Sequence, residues 1–509
     1  MGFFEDMKGE TLIRTENGAL GHLTSKSALV DLNFATGSMR TMSDDEIIDR
    51  FWSAWNENQT LALRWLFFAR DIRNGGMGER RIFCVILSDL IYNEIISTER
   101  FFSLYMLIEK YGRLDDFINL IDIVSPMQAE VIVEIISMGL AADTTGMLQK
   151  KPISLLAKWM PSINTSAKET RDRAAKYARA FGISHKEYRT MLSKLRAYLD
   201  VTEVKASAND WANIDYSKVP SYANLKFSDA FLKHDQERRR KYLDSLSKGE
   251  VKINASTLYP YNLVHKYGIT NRWYRVETDE TIEALWKALP DYELKNTLVV
   301  ADGSGSMTVG IGGGVTALDV ANSIAIYASE HNKGDFADKY ITFSSRPQFV
   351  EFNHSMSLND KLRIAYDHDE CSNTDIKKVF NLILKTAIKN RTPQEEMPER
   401  ILIISDMEFD EATSGYDWDT RRYIRVEATL FDTIKEEYAA AGYKVPRLVF
   451  WNVNSRTMAI PMQENELGVG LVSGFSPAIF DMVMSEQVTP YSMLVEKLDN
   501  YKEVDILLN

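Results

Sequence analysis

Five side chains in the second half of the chain carry hard oxygen donors at a spacing suited to a divalent cation: Asp302, Ser304, Ser306, Thr374 and Asp406. The run Asp302-Gly303-Ser304-Gly305-Ser306 places one carboxylate and two hydroxyls on a glycine-assisted turn. Such donors suit Mg²⁺ first, with Mn²⁺ or Ca²⁺ as alternatives. Thr374 stands just before a helical stretch, and Asp406 just after an apolar one, so both can reach the same crevice. Mg²⁺ keeps several waters and few direct carboxylates. A position then stays open for an acidic group from a protein partner, with no bond chemistry required. The plainer alternative is that DGSGS is only a turn.

A second cluster is basic. Residues 150–200 hold 12 Lys and Arg against 4 Asp and Glu. The candidate RNA contacts there are Lys150, Lys151, Lys158, Lys168, Arg171, Arg173, Lys176, Arg179 and Arg189, with Lys186, Lys194 and Arg196 beside them. Trp159, Tyr177, Tyr188 and Tyr198 are interleaved and can stack on bases. The other reading is a solvated helix pair whose aromatics belong to the core. Arg70, Arg73, Arg80 and Arg81 flank Asn74-Gly75-Gly76-Met77-Gly78. That segment is either a close approach to phosphate or a helix–helix connector with an arginine on helix C-terminal carbonyls. No Gly-Lys-Ser/Thr ending makes it, or Gly310–Gly314, a Walker loop. Gly310–Gly314 reads as a flexible loop beside the cation site. Asp367, His368, Asp369 and Glu370 read as an acidic loop, since adjacent residues do not converge on one ion. Glu408 and Asp410 can tune the metal or repel an anion. Arg238–Lys241, flanked by Asp235, Glu237 and Asp244, reads as a paired surface helix. The remaining histidines are scattered, and no nucleophile–base set has a supporting context, so no enzyme activity and no small-molecule substrate are expected.

The elements that position these groups change character along the chain. Ser43 with Glu46 forms a capping box ahead of apolar residues at helical spacing. Helical patterns recur near Thr60–Arg70, Glu79–Ile96, Arg100–Lys110, Pro126–Leu140, Ala167–Ala180, Lys186–Leu199, Asp235–Gly249 and Thr278–Lys295. They predict an α-helical array of stacked helix pairs. After Lys295 strands and helices alternate: strands at Thr297–Ala301, Tyr340–Phe343, Gln348–Phe352, Arg400–Ser405, Arg447–Asn452 and Val469–Val472, with helices at Ala317–His331, Asp375–Lys389 and Ala428–Ala441. That alternation predicts a doubly wound, mostly parallel α/β domain that binds ligands outside its strand C-termini. The expected division is therefore a helical domain over 1–290 and an α/β domain over 291–509.

Charge follows the same division. Residues 1–290 hold 39 basic and 38 acidic side chains, and residues 291–509 hold 21 and 34, so RNA should favour the helical part. Two cysteines, Cys84 and Cys371, make no disulfide framework, and a reducing, cytoplasmic setting is expected. MGFFEDMKGE has no basic n-region with an apolar core. The longest apolar runs fall short of the roughly 20 residues of a membrane span, so no membrane partner is expected.

At LVVADGSGSM, SNTDIKKVFNLIL, ILIISDMEFD and VPRLVFWNV the chain resembles von Willebrand A domains. With TENGAL, RDIRNGGMGER, SLLAKWMPS, ASANDWANIDYSKVPS and FLKHDQERRRKYLDSL, it resembles a family of bacterial, phage and plant proteins with a helical N-terminal region and a C-terminal A domain. The Gly76-Met77-Gly78-Glu79-Arg80 segment and the domain order make this family similar in turn to the Ro ribonucleoproteins. Their TROVE module is a ring of HEAT-like helices closed by an A domain, and they bind small non-coding RNAs. The resemblance implies a metal-ion-dependent adhesion site and a non-enzymatic, Ro-like RNA-binding function with a protein partner recruited at the metal. The alternative is a metal-dependent interaction scaffold without RNA.

Overall fold

The computed structural model describes residues 12–268, 276–343, 347–369, 376–409, 415–417, 422–424, 430–462 and 468–508. The chain divides into two compact units, Met1–Trp65 with Leu258–Asn500, and Leu66–Thr257 with Tyr501–Asn509.

The first unit is built on a sheet. A hairpin of β1 (Leu12–Arg14) and β2 (Leu20–His22) comes first in the chain. Six further strands are β3 (Thr297–Asp302), β4 (Lys339–Phe343), β5 (Gln348–Glu351), β6 (Arg400–Ser405), β7 (Arg447–Asn452) and β8 (Val469–Ser473). They form one sheet in the order β8-β7-β6-β3-β4-β5, parallel throughout except for the antiparallel β5 edge. Strands β3 and β6 are buried along their whole length, as their unbroken apolar runs require of central parallel strands. Their register sets Leu298 against Ile401 and Ala301 against Ile404, which leaves Asp302 and Asp406 at neighbouring strand ends. Helix α1 (Ala317–His331), opened by a Thr316–Asp319 capping box, packs on β3 and β4.

Residues 12–65 belong to this compact unit. His22 N and O exchange bonds of 2.8 and 2.9 Å with Ile460. Asn452 Nδ2 donates to Phe34 O at 2.8 Å, and Gly37 N to Ser473 Oγ at 2.8 Å. A Cβ on Gly37 would lie 2.7 Å from Val453 O, so the backbones meet there only through glycine. Hydrophobic periodicity reports which face is buried, not what covers it, so these contacts of residues 12–65 were not legible in the sequence.

The described residues of the second unit contain helices and turns but no strand. Phe67, Phe83 and Tyr111 pack edge to face at 5.5 and 6.0 Å. Asp116 is buried and accepts from Arg70 Nε at 2.7 Å, Arg80 Nε at 2.6 Å and Arg113 N at 3.3 Å. Arg73 donates to Glu109 O at 2.7 Å, near the end of the helix Phe101–Tyr111. A Cβ on Gly76 would sit 2.5 Å from Phe68 O. The NGGMG segment is thus the connector, and three of its arginines serve the fold. Arg239, expected on a charged surface, is instead fully buried, with its guanidinium 5.0 Å from the Tyr216 ring and 5.2 Å from that of Phe231.

Among the described residues one helix, Pro126–Leu148, is long and apolar enough to cross a membrane by length and composition. Its apolar residues are interrupted by small residues and isolated acids, so no single contiguous apolar run marks it in the sequence. Ile132, Ile135, Ile136 and Leu140 of this helix are buried within the unit.

Candidate metal centre

Asp302 leaves β3 fully buried. Its Oδ1 accepts from Ser304 N at 2.9 Å and its Oδ2 from Ser405 Oγ at 2.6 Å. The Ser304 and Ser306 hydroxyls stand 2.9 Å apart. Asp406 leaves the adjacent β6, also buried, and its Oδ1 accepts from Glu408 N at 3.2 Å. Met407 between them has φ 63°, a left-handed conformation costing on the order of 1 kcal/mol for a non-glycine residue. That turn folds Glu408 N back onto Asp406. A Cβ on Gly303 would meet Asp369 Oδ1 at 2.8 Å, so glycine is required for the loop to pass this close.

The electrostatics are those of a site short of positive charge. Burial lifts both carboxyls above the ordinary range, and for Asp302 the nearby Asp406 charge lifts it further. Ser306 and Arg456 pull Asp406 back down. Asp369, whose Oδ2 accepts from Asn322 at 2.8 Å, is pushed up to about 7 by burial. Asp406 Oδ2 is buried without a hydrogen-bond donor. Burying an ionised carboxylate without a partner is strongly unfavourable, and a cation at this oxygen removes the penalty. The residues present therefore fit a hard divalent ion: Asp302, Ser304, Ser306 and Asp406 would hold it, and it would supply a Lewis-acid position for an acidic ligand. Among the described residues no group of three or more His, Cys, Asp or Glu side chains gathers as an ion cage, so hydroxyl donors are essential to this fit. Thr374, Glu370 and Cys371 lie outside the described residues, as does Asp410.

Glu408 is engaged by the fold, and its charge also lifts Asp406. It is fully buried, its Oε1 accepting from Arg456 N at 2.8 Å and Thr457 N at 2.9 Å, and its Oε2 from Glu16 N at 2.8 Å. Thr15 Oγ1 donates to Phe409 O at 2.6 Å and Asn17 Nδ2 to Glu408 O at 2.6 Å. The TENGAL turn between β1 and β2 is thereby fixed to the end of β6. Ser405, Glu16 and Arg456 were not singled out in the sequence. The only signal for Glu16 was TENGAL, a motif with no chemistry of its own, and Arg456 had none. Residues 310–314 form a set turn, with Ile311 N donating to Val315 O at 2.8 Å and positive φ at Gly312, Gly313 and Gly314.

Residues 15–93 and 104–295 match a family described as Domain of unknown function (DUF2828). The chain belongs to the DUF2828 family. Residues 296–504 match a second, Domain of unknown function (DUF7788). The two matches meet at 295/296, whereas the compact units interleave. Uncharacterized protein L728 of Acanthamoeba polyphaga mimivirus is similar, 29% identical over 541 residues that cover 97% of this chain and 88% of that protein. The crystal structure of the Deinococcus radiodurans RO (RSR) protein aligns with 12% identity and a TM-score of 0.35 over 83% of this chain and 93% of that one.

The basic cluster divides into two sets. Arg173 pairs with Asp122 at 2.5 Å, and Lys176 donates to Ile121 O. Arg171 donates to Thr165 O and Ser166 O, Lys158 pairs with Glu203 at 3.4 Å, and Arg196 holds Ala157 O and Met160 O. Tyr177 and Tyr188 are buried with their hydroxyls on Ile118 O and Pro161 O, so neither can stack on a base. Trp159 is covered by the Arg113 guanidinium at 4.0 Å. Lys150, Lys151, Lys168, Arg179, Lys186, Arg189 and Lys194 are exposed and make no side-chain bond to a described residue. Tyr198 is the exposed aromatic of the set. Cys84 is half-buried, and burial pushes its thiol up to about 11, away from nucleophilic use.

Proposed function

We propose that this DUF2828 protein is a non-enzymatic, divalent-metal-dependent binding protein whose sheet unit is of von Willebrand A type. The ion, Mg²⁺ or Mn²⁺, sits among Asp302, Ser304, Ser306 and Asp406, with Thr374 as the further donor implied by the family resemblance. Its open position takes an acidic group from a protein partner. The observation that carries this reading is the buried Asp406 Oδ2 without a donor, at the neighbouring strand end to Asp302. Placement outside the carboxyl ends of parallel strands is where doubly wound sheets bind ligands. Equilibrium dialysis with Mn²⁺ tests it. One site per chain, displaced by excess Mg²⁺ and lost in Asp302→Ala, is expected. Equal Mn²⁺ binding by wild type and Asp302→Ala would overturn it.

A Ro-like RNA-binding role is the second reading. The free cations Lys168, Arg179, Lys186, Arg189 and Lys194 on the helices Lys168–Ala180 and His185–Tyr198 favour it. Lys186 and Lys194 also line an open depression of about 500 Å³ with Ser184, Thr190 and Met191. Backbone contacts of this kind give affinity that falls steeply with salt, so binding to a structured RNA that survives 300 mM salt unchanged would exclude it, 300 mM being roughly twice the physiological ionic strength.

A further inference from the structure

Arg456 reaches the candidate ion site from the loop after β7. Its Nη2 stands 3.4 Å from Asp406 Oδ2, the same oxygen that lacks a hydrogen bond, and 2.7 Å from Glu16 Oε2. Its side chain is 26% exposed, and that of Glu16 is 50% exposed. The guanidinium is therefore shared unequally: a true charge-assisted bond to Glu16 and a longer contact to Asp406. Arg456 Nε is buried and without an acceptor. The backbones of both residues are pinned by one carboxylate, since Glu408 accepts from Glu16 N and Arg456 N at 2.8 Å each. Neither residue can drift from the other without releasing a fully buried acid.

We infer that Arg456 is a built-in counter-ion for Asp406 that competes with the metal, and that Glu16 of the TENGAL turn sets the strength of that competition. The inference rests on the metal reading above. Without Arg456, the Asp406 oxygen would face no cation in the metal-free protein, and the ion would enter against no positive charge. Without Glu16, the guanidinium loses its closer partner and closes onto Asp406, opposing the ion more strongly. Glu16 thus acts at a distance as a positioning residue: it draws the arginine back and keeps the metal position available. An acidic ligand arriving at the ion would meet the same guanidinium, in the place where the Glu16 carboxylate now lies.

The test is Mn²⁺ affinity, read from the electron paramagnetic resonance signal of free Mn²⁺, on the full chain. Arg456→Gln should bind Mn²⁺ about five- to tenfold tighter, because a positive charge beside the ligand oxygen has been removed. Glu16→Gln should bind several-fold more weakly, roughly the mirror of that effect. The double variant should follow Arg456→Gln, since Glu16 acts only through the arginine. Arg456→Lys keeps the charge and should stay near wild type, which separates charge from packing. Unchanged or weaker binding in Arg456→Gln, or a double variant that follows Glu16→Gln, would overturn the inference while leaving the metal site standing. Mn²⁺ binding indifferent to Asp302→Ala would instead remove the site itself.

Discussion

Asp116 and Asp406 are both buried carboxylates, one in each compact unit, and their surroundings are opposite. Asp116 is saturated by Arg70, Arg80 and the Arg113 amide. Asp406 has one oxygen on Glu408 N, and the other has no hydrogen bond, with Arg456 at 3.4 Å. The first arrangement spends its cations on holding helices together. The second leaves negative charge over at a strand end, at some expense to the metal-free fold. The same contrast runs along the basic surface, where Arg173 and Lys176 are engaged while Lys168, Arg179 and Arg189 are not. Charge already neutralised by the fold explains stability, and charge left over is where a ligand is to be sought.

The sharpest way to break this contrast is to remove each carboxylate. Asp116→Ala should destabilise the helical unit by about 3–5 kcal/mol in urea denaturation, because it leaves a buried arginine unpaired. Asp406→Asn, measured in chelator, should stay within about 1 kcal/mol of wild type or exceed it, since an under-compensated charge has been neutralised. A large loss in Asp406→Asn would mean that this carboxylate is structural after all. On the basic face, changing Lys168, Arg179, Lys186, Arg189 and Lys194 to Glu together should abolish salt-sensitive RNA binding. Each lost phosphate contact should flatten the log–log salt slope by about 0.7 for single strands. Arg173→Glu with Lys176→Glu should alter the unfolding midpoint more than the RNA affinity.

A further effect concerns pH. Asp369, raised to about 7 in the folded chain, has an unfolded value of about 3.9. Between those values the folded state holds the extra proton, so its contribution to stability grows as pH falls through that window. Melting in chelator from pH 8 down to pH 5 should show this rise, to which the raised Asp302 and Asp406 also contribute, and Asp369→Asn should reduce it. An unaltered profile in the variant would assign the proton elsewhere.

Much of this contrast was legible in the residue order. The strand expected at Thr297–Ala301 is β3, one residue longer, and Arg400–Ser405 and Arg447–Asn452 are β6 and β7 as expected. The Ser43–Glu46 capping box is formed. The strand-end positions of Asp302 and Asp406, with Ser304 and Ser306 beside Asp302, were legible because strand end and donor type are both local properties. What escaped was long-range. Nothing local tells that Tyr177 and Tyr188 turn inward while Tyr198 stays out, since all three sit on amphipathic helices of similar composition. Glu16 and Arg456 are ordinary surface residues by type, and only the pairing of their backbones through Glu408 makes them part of the site. The Pro126 helix, expected to end near Leu140, runs to Leu148 because Ala, Thr and Gly continue it without apolar periodicity.

The bond from Glu16 N to Glu408 joins residues 392 positions apart. During synthesis the TENGAL turn must therefore wait until the strand Arg400–Ser405 and the loop bearing Arg456 have been made. Contacts so distant in sequence form late and slowly. The crevice around Asp406 would then be completed only after at least 392 further residues have been made, and a nascent chain would carry its TENGAL turn undocked until then. A fragment cut at the boundary between the two family matches would lack that turn permanently: it would retain every candidate metal ligand and lose Glu16, the carboxylate that draws Arg456 back.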